Sequence, residues 1–394
     1  MINNLDNYRW LTSPDAEPWL ALEADDPLRL LARLRKDISA ERAHLVAEQI
    51  DLRRRGCEKF RRADRMFFTK KGLEQATDDQ LAAYKATRFP TGALVSDLCC
   101  GIGGDLVALC ARGPVFGDDR DEMMSLVATA NAQVHGFGSD KCSIVAADIT
   151  TTDIPSGPWH CDPDRRPTGR RATRGELFEP SIDVLDRLLG QNPNAAIKLA
   201  PATDVPAAWQ EIAELQWLES RGECRQQVAW FGGLAKHPGR RAATIVPSNG
   251  QHRTVVGLAD EMPPIADKIG RYLYEPAAAI LAAKLTSELC RQHNVTGLSP
   301  AIAYLTSDTP IDDVALAAFE VLDLLPFDRK QLRAYCRQHN LGRLEIKKRG
   351  VELDPAKLRQ EIVAPGDNAA TILIAPYQHQ TRAIIARRLT TKAT

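Results

Sequence analysis

Asp97-Leu98-Cys99-Cys100-Gly101-Ile102-Gly103-Gly104-Asp105 is the stretch that decides the fold. It follows the apolar run Ala93-Leu94-Val95-Ser96 and leads into a helical pattern from Asp105 to Ala111. It therefore reads as the tight turn between a first buried strand and its helix. Glycines at such a turn let the backbone approach a ligand closely and leave helix N–H groups free. A P-loop would need Gly-Lys followed by Ser or Thr, which this turn lacks. A dinucleotide fingerprint would need a third small residue where this chain has Leu106. An acid before the glycines fits a nicotinamide cofactor poorly. It suits S-adenosylmethionine, which carries an ammonium group and no pyrophosphate.

Outward from the turn, short apolar runs alternate with helical patterns. Val115-Phe116-Gly117 reads as a second strand, and Met123, Leu126, Val127, Ala130 and Val134 mark one helical face. Ser143 to Ala147 reads as a third strand, a short fourth is expected to end near Trp159-His160-Cys161-Asp162-Pro163-Asp164-Arg165-Arg166, and Ala195 to Leu199 reads as a later one. This alternation predicts βαβ units and a mainly parallel sheet. Gln226 to Phe231 and Ala242 to Val246 are expected to close it as an antiparallel pair. Asp119 ends the second strand, where a carboxylate can accept from both ribose hydroxyls. Asp148 ends the third, where it can accept from an adenine amino group. Acids at the carboxyl ends of strands one to three converge on one crevice by topology.

DLCCGIGGD, followed by VFGDDRD, ADIT and DPDRR, resembles the class I S-adenosylmethionine-dependent methyltransferases. More narrowly, with DRMFFTKKGLEQAT, YLYEP and GRLEIKKRGVELDP, the chain resembles a bacterial methyltransferase family with a C-terminal THUMP-like domain. The catalytic half of that family is similar to trimethylguanosine synthases. The resemblance implies a Rossmann-like seven-stranded methyltransferase sheet, an α/β fold, with an N-terminal helical region and a small C-terminal α+β domain. It implies S-adenosyl-L-methionine as cofactor, held by Asp97, Cys99, Gly101, Gly103, Asp119 and Asp148, with Thr77 closing over it. Thr77 also reads as a helix N-cap. Asp162 and Pro163 stand where related amino-methyltransferases carry an acid or amide, two prolines and an aromatic. There the acid accepts from an exocyclic amine and aligns it for in-line transfer. This chain has Asp164 and Arg165 in place of the second proline and the aromatic. Arg165 could supply the stacking plane, or Trp230 or Phe231 the ring in its place. The run Arg165, Arg166, Arg170, Arg171, Arg174 is either a phosphate clamp or a solvated loop.

The remaining sequence sets the surroundings. The first ninety residues read as helical, with Leu31, Leu34 and Ile38 at helical spacing. Their cluster from Arg53 to Arg65, running into Phe67-Phe68, can grip phosphates or be a charged face beside core aromatics. The expected boundaries are 1–90 helical, 91–250 methyltransferase, 251–324 a connecting helical region and 325–394 THUMP-like. A single helix is expected from Ala277 to His293, and Arg329–His339, Arg343–Lys347 and Ala370–Ala375 as helix, strand and strand. The net charge is zero, yet from Leu325 onward fourteen Lys and Arg face six Asp and Glu. That surplus points to a polyanionic partner, which for an RNA methyltransferase would be RNA, with Lys347, Lys348 and Arg349 as phosphate contacts. A solvated basic face explains the count nearly as well.

No run of eighteen apolar residues occurs, and the start lacks a secretory pattern, so no membrane span is expected. Nine cysteines without a CxxC pair, and eight histidines without HxxxH spacing, give no metal site. The expected function is a cytoplasmic RNA methyltransferase, with an exocyclic guanine nitrogen as the acceptor atom that the resemblance alone implies. The alternatives are a methyltransferase for protein or small molecules, and a catalytically silent RNA-binding fold.

Overall fold

A computed structural model describes residues 4–22, 26–151, 156–164, 178–248, 250–259, 262–299 and 302–389. The chain divides into two compact units: Met1–Leu215 with Gln226–Gly239 and Ser248–Gly250, and Gln216–Arg225 with Arg240–Pro247 and Gln251–Thr394.

The first ninety residues carry helices α1 (Asn4–Leu11), α2 (Glu17–Leu20), α3 (Pro27–Leu34), α4 (Ala40–Gly56), α5 (Lys70–Gln75) and α6 (Asp79–Ala86). Side-chain caps fix several starts. Ser39, Thr69 and Asp78 accept from amides in the first turns of α4, α5 and α6. Leu34, Val46, Phe60 and Phe68 form their buried core, against which Val127 of the later domain also packs.

The alternating elements follow: β1 (Val95–Leu98), α7 (Gly104–Cys110), β2 (Val115–Asp119), α8 (Glu122–Val134), β3 (Cys142–Ala146), β4 (Trp159–Cys161), α9 (Ile182–Gln191), β5 (Ala195–Leu199), α10 (Ala207–Ile212), β6 (Glu214–Ser220), β7 (Glu223–Trp230), β8 (Arg241–Ile245) and β9 (Arg253–Gly257). They form a sheet in the order β3-β2-β1-β4-β5-β7-β6-β8-β9. Strands β1 to β5 pair in parallel and β7 runs antiparallel to β5. The sheet has nine strands, two more than expected, because β8 and β9 continue it as an antiparallel pair.

The expected pairing of the last two apolar runs is corrected, since β6 stands between β7 and β8. The sequence Glu-Leu-Gln-Trp-Leu-Glu-Ser reads as polar, yet every residue of β6 is buried. Its acids are satisfied in place: Glu214 binds Arg88, and Glu219 accepts from the Ala279 amide at 2.8 Å. Buried polar groups persist when they are paired.

The second sheet is built from β10 (Tyr272–Pro276), β11 (Thr296–Ser299), β12 (Ile302–Ser307), β13 (Leu316–Pro326), β14 (Leu341–Lys348), β15 (Asn368–Tyr377) and β16 (Gln380–Arg388). Its order is β11-β12-β10-β13-β16-β15-β14, with only the β14–β15 pair parallel among the registers described. The stretch expected as a helical connection therefore contributes four strands to this sheet and β9 to the first, and a boundary at 324 would cut β13. Strands this short, four to six residues for the first three, give little periodicity to read. The single helix expected after Pro276 is two, α11 (Ala278–Ala283) and α12 (Thr286–His293), broken at Lys284 with φ +57°. Helices α13 (Arg329–Gln338) and α14 (Pro355–Ile362) cover the far strands through Leu332, Cys336, Leu358 and Ile362.

Candidate active site

The turn after β1 needs left-handed backbone at Cys99 (φ +59°), Gly101 (+56°) and Gly103 (+85°). Two of the three are glycine, the residue that bears this region without strain. A Cβ on Gly101 would meet nothing within 4 Å, so the backbone there stands at open space. Gly103 caps α7 and packs against Ala128 instead. The acids ending β2 hold the turn from below. Cys99 N–H donates to Asp118 at 3.2 Å, and Gly101 N–H donates to Asp119 at 2.9 Å.

Beside this turn lies a cavity of about 550 Å³. Of the expected residues, Asp97, Cys99, Gly101, Asp119, Asp148, Thr77, Asp162 and Pro163 all line it. Gly103 does not. Burial pushes the Asp119 carboxyl up, against the pull of the Asp121 and Gly101 amides. Asp148 is exposed, and the Thr150 amide holds its carboxyl below the usual range.

Along the wall runs a buried chain of charges, with Asp97, Asp105, Thr77 and His160 lining the cavity and Lys85 behind them, that the sequence reading missed. His160 Nδ1 lies 2.7 Å from Asp97 Oδ1, and its Nε2 lies 3.4 Å from Lys85 Nζ. Lys85 Nζ in turn sits 2.7 Å from Asp105 Oδ1, whose other oxygen accepts from Thr77 at 2.7 Å. Burial lowers Lys85 against the pull of Asp105. Burial would raise Asp105, but Lys85, His160 and Lys198 hold it well below the carboxylate range. Asp97 is raised by burial, which His160 only partly offsets. Its Oδ2 is buried and has no hydrogen-bond partner among the described residues. An unsatisfied carboxylate oxygen on a cavity wall, beside a glycine facing open space, suits a ligand carrying a cationic amine. S-adenosylmethionine is such a ligand.

At the other end of the cavity, Lys198 of β5 donates to Asp162 Oδ2 at 2.5 Å and to the Gln75 carbonyl at 3.1 Å. Asp162 is about a quarter exposed and Lys198 is buried. Asp164, the departure from the two-proline pattern, is held at 2.8 Å by Lys71 and at 3.1 Å by Gln75, both on α5. It bridges by backbone to Glu179, whose carboxylate pairs with Arg120.

Three expectations are corrected. Trp230 is fully buried beneath the Arg88 guanidinium at 4.5 Å and edge-on to Phe89, so it has no face for a base. Asp78 caps α6, while Thr77 binds Asp105. Lys347 and Arg349 pair with Glu275, which leaves only Lys348 of that trio exposed and outside such a pair. Arg165 and Arg166, with the rest of their run, lie outside the described residues.

All nine cysteines are free, six of them buried. Among the described residues no cluster of His, Cys, Asp and Glu could hold a metal, and no helix is long and apolar enough to cross a membrane.

Comparison with known proteins bears on the family of the chain. Residues 316–388 match the family described as THUMP domain-like. A crystal structure of a provisionally named methyltransferase from Porphyromonas gingivalis W83 shares the fold, with TM-score 0.78 and 21% identity over 98% of this chain and 97% of that one. Proteins of two Mycobacterium tuberculosis strains, CDC 1551 / Oshkosh and H37Rv, are uncharacterized S-adenosylmethionine-dependent methyltransferases. Each is 30% identical over 350 residues, 85% of this chain and 93% of its own length. At that identity and coverage, the chain belongs to the S-adenosylmethionine-dependent methyltransferases.

Proposed function

We propose that this chain methylates RNA at an exocyclic base nitrogen, guanine by preference, with Asp162 orienting the acceptor. The observation that carries the reading is the Asp162–Lys198 pair. Lys198 occupies Oδ2 at 2.5 Å, which leaves Oδ1 to accept from an amine on the same cavity as Asp97 and Asp119. S-adenosylmethionine, when bound, supplies an electrophilic methyl carbon. Asp97 and Asp119 hold its ammonium and ribose, and Asp162 fixes the direction of the incoming lone pair. Pro163 shapes the wall beside it. Guanine is supported by the DP pair's resemblance to trimethylguanosine synthases, and RNA by the THUMP domain-like match.

Tritium transfer from labelled cofactor to total RNA, with total protein and a small-molecule fraction in parallel, tests the substrate class. Digestion of labelled RNA to nucleosides should give N2-methylguanosine. Label in protein alone would remove the RNA reading. Asp162→Ala and Lys198→Met should keep cofactor affinity while transfer falls about a hundredfold and tenfold or more, respectively. Full transfer by a folded Asp162→Ala protein would end the acceptor role.

A further inference from the structure

Hydrogen-bond roles in the buried chain are set by its ends. An ammonium only donates and an ionised carboxylate only accepts. Lys85 Nζ, 3.4 Å from His160 Nε2, therefore donates to that nitrogen, and His160 Nδ1–H donates to Asp97 Oδ1 at 2.7 Å. The tautomer follows from these partners. Lys85 is itself anchored by Asp105 at 2.7 Å, and His160 and Asp97 are each 1% exposed. The chain is polarised from a fixed cation to a fixed carboxylate, and it occupies one oxygen of Asp97 while leaving the other unpartnered. A carboxylate without the imidazole could rotate, or draw on the amides of the turn, and present neither oxygen reliably.

We propose that His160 is a positioning residue for the amino-acid end of the cofactor, holding Asp97 so that Oδ2 alone is offered to the ligand's ammonium. The proposal rests on the reading of Asp97 as the ammonium's partner. It goes further in assigning a role to His160, which lines the same cavity but acts through Asp97, and in confining that role to one end of the ligand. Loss of His160 should weaken ligands that carry the ammonium and spare ligands that lack it.

The test is calorimetric titration of the full chain with S-adenosylhomocysteine and with 5′-methylthioadenosine, which keeps the adenosine and thioether but has no amino acid. His160→Leu should weaken S-adenosylhomocysteine by about tenfold to a hundredfold, as expected for a hydrogen bond to a charged group. It should change 5′-methylthioadenosine by less than about twofold. His160→Asn, which restores an N–H donor near the position of Nδ1, should recover most of the affinity. In Asp97→Asn the further change His160→Leu should cost nothing more, because both act on one contact. Equal loss for both ligands would show that His160 merely supports the fold, and the proposal would fall. Additive losses in the double variant would overturn it too. If Asp97→Asn itself binds S-adenosylhomocysteine as well as wild type, it is the reading of Asp97 that fails, a separate outcome visible in that variant alone.

Discussion

Replacing Asp118 with asparagine should stabilise the protein, and by an amount that grows with pH. Asp118 is 3% exposed and lies under the cofactor turn, accepting from Cys99 N–H. Burial pushes its carboxyl from 3.8 up to about 7, and the Cys99 amide only partly opposes this. Because the folded value is raised, the neutral acid is the form the fold favours. That stability is fully present below pH 3.8 and is lost as pH climbs through about 7. Each unit of pKa is worth about 1.4 kcal/mol, so the ionised side chain costs the fold up to about 4 kcal/mol. Asparagine keeps an acceptor oxygen for Cys99 and never ionises. Its advantage over wild type should be about 1–2 kcal/mol at pH 5 and should approach about 4 kcal/mol at pH 8. Urea unfolding by tryptophan fluorescence reads this well, since Trp10, Trp19, Trp159, Trp209 and Trp230 all lie in the unit that holds Asp118. An advantage that stays constant from pH 5 to pH 8, or a variant less stable than wild type at pH 8, would refute the argument.

Other outcomes follow from paired charges. Glu214→Gln leaves the Arg88 guanidinium, 3% exposed, without its counter-charge, and should destabilise by about 3–5 kcal/mol in the same urea assay. Asp119→Ala should weaken S-adenosylmethionine by about 1.5–3 kcal/mol in calorimetry, through lost hydroxyl contacts and a freed Gly101 amide. For RNA, the exposed cations Lys330, Arg333 and Arg337 on α13 form no ion pair among the described residues, unlike Lys347 and Arg349. Alanine at those three should flatten the dependence of RNA affinity on salt by about two to three in log–log slope. Lys347, Lys348 and Arg349 to alanine should flatten it by about one or less.

The strands around the candidate site were legible because each is a short apolar run stopped by a turn. β1, β2, β3 and β5 fall within two residues of their expected places, and Asp97, Asp119 and Asp162 do share one cavity. What stayed hidden was charge that the fold buries. Lys85, His160 and Lys198 look like ordinary polar residues in the sequence, and only their partners in space make them tolerable inside. Lys198 gave one hint, since it interrupts the run Ala-Ala-Ile-Lys-Leu. Trp230 misled because its covering groups, Arg88 and Phe89, come from some 140 residues upstream. Lys347 and Arg349 looked free because Glu275, which neutralises them, belongs to β10, a strand not adjacent to β14.

Arg88 and Lys85 also impose an order of assembly during synthesis. Both sit at the end of the N-terminal helices, yet Arg88 meets Glu214 126 residues later, and Lys85 reaches Gln226 141 residues later. A nascent chain that has released only these helices holds two cations whose burial would be prohibitive without their partners. The helix end that carries Arg88 must keep its inner face wet until β6 has left the ribosome, and Lys85 cannot be covered before its counter-charge Asp105 in α7 has followed. The cofactor turn, pinned from above by Thr77 and Lys85, cannot be finished earlier either. A fragment ending before residue 214 is therefore expected to be an aggregating intermediate, and one that starts after residue 90 would lack the wall that Lys71, Gly72, Gln75, Ala76 and Thr77 give the cavity.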